Sequence, residues 1–184
     1  MNDELIGMLL SIVGMLVTIA SFQAKAKRNL LILQTIGTLF YLFSYIFSGG
    51  GIAVMLNVIY LARNFLFMRV NEDNMKKKKD ICIALCISYA IAYVCFVVFM
   101  EKNLDAQIWN LLPIIGAFFG TIGLINRDVN KFRLWKYGDS LAWFVFNMHI
   151  GIGALGGIFG EVFNLISLTI GIFRYREIKT DKTK

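Results

Sequence analysis

Long apolar stretches alternate with short clusters of charged residues along this sequence, and cutting it at the charges leaves seven segments. Each is close to the roughly 20 residues that an α-helix needs to cross the hydrocarbon core of a membrane. Four segments carry no charge: Leu5–Phe22, Asn29–Gly51, Ile81–Met100 and Ala106–Asn126. Three contain ionisable residues: Ile52–Met68, Leu134–Gly151 and Gly153–Phe173. The pattern therefore predicts an all-α integral membrane protein with seven transmembrane helices.

Composition agrees with this prediction, and the distribution of charge predicts how the protein is oriented in the membrane. Of the 184 residues, 58% are hydrophobic, and the formal net charge is +7. All but two of the 19 Lys and Arg fall on one side of the predicted membrane, the exceptions being Arg63 and Lys102. Because cytoplasmic loops are enriched in Lys and Arg, this predicts an outside N-terminus and a cytoplasmic C-terminus. We expect the basic loops to contact anionic lipid headgroups rather than nucleic acid.

The odd number of spans is explained by an internal repeat of three helices. Two parallel three-helix units need one extra helix between them, since otherwise the second unit would be inverted in the membrane. An offset of about a hundred residues supports the repeat, because it aligns Gly14 with Gly116 and Asn57 with Asn164. The sequence thus predicts a 3+1+3 order with these divisions: 1–70 first bundle; 71–105 cytoplasmic loop, linker helix and outer loop; 106–176 second bundle; 177–184 cytoplasmic tail.

Polar residues within the spans indicate which helix faces avoid lipid. An Asp in the middle of a membrane helix costs about 2.5–3.5 kcal/mol on insertion scales, so Asp139 needs partners inside the protein. The third, sixth and seventh spans each carry polar residues at helical spacing: Asn57, Tyr60, Asn64; Asp139, Trp143, Asn147; Glu161, Asn164. Residues three or four apart share one face of a helix. We therefore expect these three spans to enclose a common polar cavity.

Individual cavity residues receive predicted roles. The predicted substrate-binding residues are Asn57, Tyr60, Trp143, Asn147 and Asn164. Arg63 and Asp139 lie roughly 8–9 Å from the cytoplasmic ends of their spans at 1.5 Å per residue, which predicts an ion pair acting as a gate or structural latch. Glu161 is a candidate for proton coupling. For Trp143, helix packing and stacking on a ligand ring or cation are both open.

Little in the sequence points to catalysis or to a cofactor. The single His and the three cysteines, Cys82, Cys86 and Cys95, supply neither a nucleophile with its base nor a set of metal ligands. The Gly-Lys-Ser/Thr phosphate loop is missing, so ATP is not expected to drive the protein. We expect no enzyme activity, no cofactor and no metal. The expected partners are a small-molecule solute and membrane lipids, and a homo-oligomer is compatible with the sequence.

Three segments resemble the YgjV family of small bacterial inner-membrane proteins: "SFQAKAKRNLLILQ" (Ser21–Gln34), "NVIYLARNFLF" (Asn57–Phe67) and "GDSLAW" (Gly138–Trp143). That family is similar to the SWEET, PQ-loop and PnuC group, which implies two three-helix bundles, a linker helix and transport by alternating access. In SWEET sugar transporters an Asn from the third helix of each bundle lines the pocket, which corresponds here to Asn57 and Asn164. Trp143 matches a pocket Trp of the same transporters. "WFVFN" (Trp143–Asn147) fits the Trp-x-x-x-Asn pattern of PnuC vitamin transporters.

The residues and the resemblance together predict a small-solute transporter or facilitator of the bacterial inner membrane. Its midplane site is expected to take a small polar metabolite, sugar- or vitamin-like. The chain departs from those families in having Phe22-Gln23 in place of Pro-Gln, and Leu42 at the position that matches Trp143 in the first bundle. A non-transporting membrane receptor or assembly protein with the same fold is the alternative, because a cargo pocket and a transport pocket have similar compositions.

Overall fold

The computed structural model describes residues 2–47, 51–71, 73–99, 103–150 and 155–181, which form seven α-helices and no β-strand. The helices are α1 (Asn2–Ser21), α2 (Lys27–Phe47), α3 (Gly51–Arg69), α4 (Met75–Phe99), α5 (Leu104–Gly123), α6 (Val129–Ile150) and α7 (Leu155–Asp181). The prediction of an all-α chain with seven helices is confirmed for this part of the chain.

The described helices include four stretches that are long and apolar enough to cross a membrane: Lys27–Phe47, Gly51–Arg69, Met75–Phe99 and Gly157–Arg174. The apolar parts of α1 and α5 are shorter, at Leu5–Ser21 and Gln107–Gly123. Large apolar side chains lie on the outer surface, where Leu16 is 58% exposed and Ile91 is 58% exposed. Such a surface suits contact with lipid tails, which are themselves apolar.

Helix ends differ from those obtained by cutting the sequence at its charges. α4 begins at Met75 rather than Ile81, and α6 begins at Val129 rather than Leu134. Both helices therefore include Lys or Arg residues that the sequence prediction placed in loops. Lys and Arg are good helix formers, so a basic residue near an end does not stop a helix. Three predicted ends lie outside the described residues: Met100, Gly151 and Gly153.

Neighbouring helices pack in the same order in the two halves of the chain. α2 packs against α1 and α3, and α6 packs against α5 and α7 in the same way. Contacts between the halves run from α1 to α7 and from α3 to α5, while α4 packs on α3 and α5. Apart from the contacts of α4, exchanging α1–α3 with α5–α7 therefore reproduces the same set of helix contacts.

Two short connections have the same backbone hydrogen bonding. In the first loop (residues 22–26, between α1 and α2) the Phe22 N–H donates to the Ile19 carbonyl at 3.2 Å. In the second loop (residues 124–128, between α5 and α6) the Leu124 N–H donates to the Thr121 carbonyl at 3.1 Å, 102 residues further on. The next two bonds of each loop repeat at this spacing. Both loops lie where α1 and α5 end and α2 and α6 begin, which we call the basic end.

Glycines allow α5 and α6 to approach closely. A Cβ added at Gly123 would lie 2.8 Å from the Cβ of Trp135 and 3.2 Å from the ring of Phe132. A Cβ added at Gly116 would lie 2.8 Å from the Asp139 carboxylate. Contacts between side chains are not normally this short, so only glycine fits at these positions. Small residues at a helix interface are the usual way for membrane helices to pack.

We expect Gly123→Ala to lower the stability of the purified protein, because α5 and α6 would have to separate. Overpacking of this kind costs about 1–3 kcal/mol. Gly160→Ala in α7 is the matched control, since its Cβ would meet no atom nearer than 3.6 Å, and Ala favours a helix over Gly by about 0.5–1 kcal/mol. Thermal unfolding in detergent measures both variants. Equal unfolding midpoints for the two would contradict the close packing of α5 on α6.

Candidate functional site

A polar cavity lies between the two halves of the chain. Apart from Gly157, every lining residue has a polar side-chain atom. α1–α3 supply eight lining residues: Thr18, Gln34, Thr38, Tyr41, Tyr45, Asn57, Tyr60 and Arg63. α6 and α7 supply another eight: Lys136, Asp139, Ser140, Trp143, Asn147, Gly157, Glu161 and Asn164. The cavity volume is about 90 Å³, well above the roughly 10–15 Å³ that one buried water molecule needs.

The eight residues that sequence analysis assigned to a site all line this cavity: Asn57, Tyr60, Arg63, Asp139, Trp143, Asn147, Glu161 and Asn164. Their helical spacing on α3, α6 and α7 was sufficient to group them, because each set occupies one helix face. Asn57, Asn147 and Asn164 are each 5% exposed, so these amides face the protein interior. The roles in binding, gating and proton coupling stay predictions.

Sequence analysis missed the part of the cavity formed by α2. Gln34, Thr38, Tyr41 and Tyr45 all line it. They are spaced four, three and four residues apart, which places them on one face of the helix. This period was present in the sequence, but a span without a charge gives no signal comparable to that of Asp139.

Asp139 is held by Lys136, one turn earlier on the same helix. Lys136 Nζ donates to Asp139 Oδ2, and the two side chains are 14% and 1% exposed. The carboxylate also lies over Gly120 of α5, where an added Cβ would be 2.8 Å from Asp139 Oδ2 and 3.2 Å from Arg63 Nη1. Arg63 and Asp139 thus face each other across Gly120, while the ion pair of Asp139 is with Lys136. A direct pair between Arg63 and Asp139 stays a prediction.

Arg63 is buried against an aromatic ring and an amide. Its guanidinium carbon lies 4.5 Å from the centre of the Tyr60 ring, a distance that permits cation–π attraction. Nε and Nη2 donate to Asn64 Oδ1 at 3.2 and 3.1 Å. Nη1 has no hydrogen-bond partner, although Arg63 is only 3% exposed. Because an unsatisfied buried charged donor is costly, Nη1 is a group that a bound solute or water would satisfy.

Other buried polar atoms in the cavity lining also lack a hydrogen-bond partner. They are Gln34 Nε2, Gln34 Oε1, Asp139 Oδ1 and Asn164 Oδ1. Most buried polar atoms in proteins are hydrogen-bonded to protein or to ordered water. The unpaired donors and acceptors therefore indicate a cavity suited to a polar occupant.

Two cations at the basic end bind the loop of the other half. Lys27 Nζ donates to the Leu124 carbonyl at 2.5 Å and to the carbonyl two residues later at 2.9 Å. Arg133 Nη2 donates to the Phe22 carbonyl at 2.9 Å and to the carbonyl two residues later at 3.1 Å. Phe22 and Leu124 are the matching positions of the two loops, so the contacts are reciprocal. We call them the crossed loop contacts.

The described helices, five of which line a polar cavity and four of which are long and apolar enough to cross a membrane, define a polytopic helical membrane protein. The particular family follows from comparison: the chain belongs to the Imp-YgjV family of bacterial inner membrane proteins, which matches residues 5–179. The predicted resemblance to YgjV and the location of the family in the inner membrane are thereby confirmed. No curated protein and no solved structure matches the chain, so similarity to SWEET, PQ-loop and PnuC transporters stays a prediction.

Proposed function

We propose that this protein is a small-solute transporter or facilitator that works by alternating access. The moving parts are a first bundle of α1–α3 and a second bundle of α5–α7, joined by α4 as a linker. The observation that carries the proposal is that each half supplies eight of the residues lining one polar cavity. Polar and ionisable groups inside a membrane are expensive and usually belong to a solute or ion pathway.

A parallel 3+1+3 repeat is supported by two separate features. The helices pack in the same order within α1–α3 and within α5–α7, and the contacts between the halves are also equivalent. The hydrogen bonds of the first and second loops repeat at a spacing of 102 residues. In transporters built from parallel repeats, the site lies at the interface between the repeats. The position of the cavity agrees with that arrangement.

We infer that the basic end faces the cytoplasm. The family belongs to the bacterial inner membrane, and cytoplasmic loops of such proteins are enriched in Lys and Arg. The N-terminus would then be outside and the C-terminus in the cytoplasm. In this orientation the crossed loop contacts close the cytoplasmic side of the cavity, and moving the bundles apart at that side requires both contacts to break.

The cavity favours a small polar solute, sugar- or vitamin-like. Amides from three positions, Asn57, Asn147 and Asn164, offer both donors and acceptors. The lining contains two cations, Arg63 and Lys136, and two carboxylates, Asp139 and Glu161, so its formal charge is zero. Trp143 Nε1 donates to the Tyr60 hydroxyl at 3.3 Å, and these two rings give the site an aromatic surface for stacking.

Uptake into proteoliposomes tests this function. The purified protein is reconstituted, a mixture of polar metabolites is added outside, and the vesicle contents are measured by mass spectrometry. We expect wild type to accumulate at least one metabolite and Asn164→Ala to lose it at least tenfold, because a lost buried hydrogen bond of about 1.4 kcal/mol changes affinity tenfold. Asn110→Ala is the control, since Asn110 is also buried, at 9% exposed, but does not line the cavity.

Two results would contradict the proposal. Equal uptake by wild type and Asn164→Ala would separate transport from the cavity. Binding of a metabolite by wild type without uptake of any metabolite would favour the alternative of a receptor or assembly protein with the same fold.

A further inference from the structure

The part of the cavity farthest from the basic end brings a carboxylate beside two aromatic rings. Tyr41 and Tyr45 of α2 stack with ring centroids 6.5 Å apart and an angle of 27° between the rings. Both tyrosines line the same cavity as Glu161 of α7. The Tyr41 hydroxyl lies 3.7 Å from the position of a Cβ at Gly160, the neighbour of Glu161. The two halves of the chain therefore meet here through an acidic group and two π-faces.

Asn164 adds a hydrogen-bond acceptor to the same group of residues. Its Nδ2 donates to Glu161 Oε2 at 3.3 Å. In this arrangement the N–H₂ group of Asn164 points at the carboxylate, and its Oδ1 points away from it. Asn164 Oδ1 is consequently left as a buried acceptor without a partner, on a residue that is 5% exposed. An N–H or O–H donor from a bound molecule would satisfy it.

The two cations of the cavity have partners other than Glu161. Lys136 is paired with Asp139 on α6. Arg63 lies six residues nearer the basic end than Asn57 on α3, and its guanidinium stacks on Tyr60. Among the described residues, Glu161 forms no ion pair. A carboxylate, a bare acceptor and two aromatic rings all attract the same kind of group, which is a cation that carries N–H donors.

We propose that this part of the cavity binds the ammonium group of a small organic amine. The inference rests on the proposed function and names a class of solute for it. The ammonium N–H groups donate to the Glu161 carboxylate and to Asn164 Oδ1, and the carbon atoms next to the nitrogen pack on Tyr41 and Tyr45. The rest of the solute extends toward Arg63 Nη1, an unpaired donor nearer the basic end of the cavity.

A series of three related ligands tests the proposal on wild-type protein in detergent. 4-Aminobutan-1-ol has both charge and N–H donors, its N-trimethyl derivative keeps only the charge, and butane-1,4-diol has neither. Isothermal titration should give 4-aminobutan-1-ol an affinity at least tenfold above those of the other two. Equal affinity for the diol would overturn the proposal, because the site would then not recognise charge. Equal affinity for the trimethyl derivative would overturn the role of the N–H donors.

Substitutions test the roles of Glu161 and Tyr45 in binding the amine. Glu161→Gln should weaken binding of 4-aminobutan-1-ol at least tenfold, whereas Asp73→Asn should not change it. Asp73 is a suitable control because it is a carboxylate on the surface, 78% exposed and paired with Arg127. Tyr45→Leu should weaken binding about threefold, with Tyr93→Leu, outside the cavity, as its control. Unchanged binding by Glu161→Gln would overturn the site. If that variant fails to fold, the comparison of Tyr45→Leu with Tyr93→Leu and the ligand series still test the proposal.

Uptake separates this inference from the proposed function. If proteoliposomes accumulate another solute and wild type binds no amine, the ammonium site is wrong and the transporter proposal stands. If wild type binds the amine through Glu161 but accumulates no solute, the ammonium site stands and transport is wrong.

Discussion

Arg133→Met is expected to open the basic end of the protein to water-soluble reagents. Arg133 is 1% exposed, and its guanidinium holds two carbonyl groups of the first loop. Methionine keeps an unbranched apolar stem but cannot donate. Hydrogen bonds from charged groups contribute about 1.5–3 kcal/mol each, and 1.4 kcal/mol corresponds to a tenfold change in population. The open state should therefore become at least tenfold more populated.

Thiol labelling measures this opening. A single cysteine at Ser140, which lines the cavity, is introduced into a variant lacking Cys82, Cys86 and Cys95. A membrane-impermeant reagent is then applied at the basic end, and Arg133→Met should raise the labelling rate at least tenfold. Arg127→Met is the control at the same end, because its ion pair with Asp73 is exposed at 56% and 78% and such pairs contribute only about 0–1 kcal/mol. The same rate in wild type and Arg133→Met would contradict the role of the crossed loop contacts.

Lys136→Met is expected to destabilise the protein by about 3–5 kcal/mol, since it leaves the buried Asp139 carboxylate without its ion pair. Adding Asp139→Asn should recover most of that loss, because the remaining amide is neutral. Unfolding free energies of the four members of this double-mutant cycle, measured in mixed detergent micelles, give the coupling between the two residues. If Lys136→Met alone changed stability by less than about 1 kcal/mol, Lys136 would not be the partner that Asp139 requires. Arg63, across Gly120, would then be the better assignment, as the sequence predicted.

The number of helices and the residues of α3, α6 and α7 that line the cavity could be predicted from the sequence. A polar residue in a membrane span must face the interior, and helical spacing then groups it with its neighbours. Asn57, Asp139 and Asn164 were identified in this way. The ends of α4 and α6 were predicted less well, because Lys and Arg were treated as boundaries although they are compatible with the first turns of a helix.

Contacts that depend on the distance between helices could not be predicted. The ion pair of Lys136 with Asp139, three residues away on the same helix, was not predicted, and the pair of Asp139 with Arg63 stays a prediction. The sequence analysis considered Arg63 because it lies at a depth similar to that of Asp139, and it did not consider Lys136. The crossed loop contacts were also missed, because Lys27 and Arg133 bind backbone carbonyls and a carbonyl leaves no trace in the amino-acid sequence.

Distances at both ends of the protein test most directly whether the two bundles move against each other around the cavity. Spin labels are attached to cysteines at Lys25 and Lys131 for the basic end, and at Phe47 and Met148 for the opposite end; all four positions are exposed. Distances are measured by double electron–electron resonance in lipid nanodiscs, in the variant without native cysteines. Relative to wild type, Arg133→Met should lengthen the distance at the basic end and shorten the distance at the opposite end. Unchanged distances at both ends, or changes in the same direction, would contradict alternating access by these two bundles.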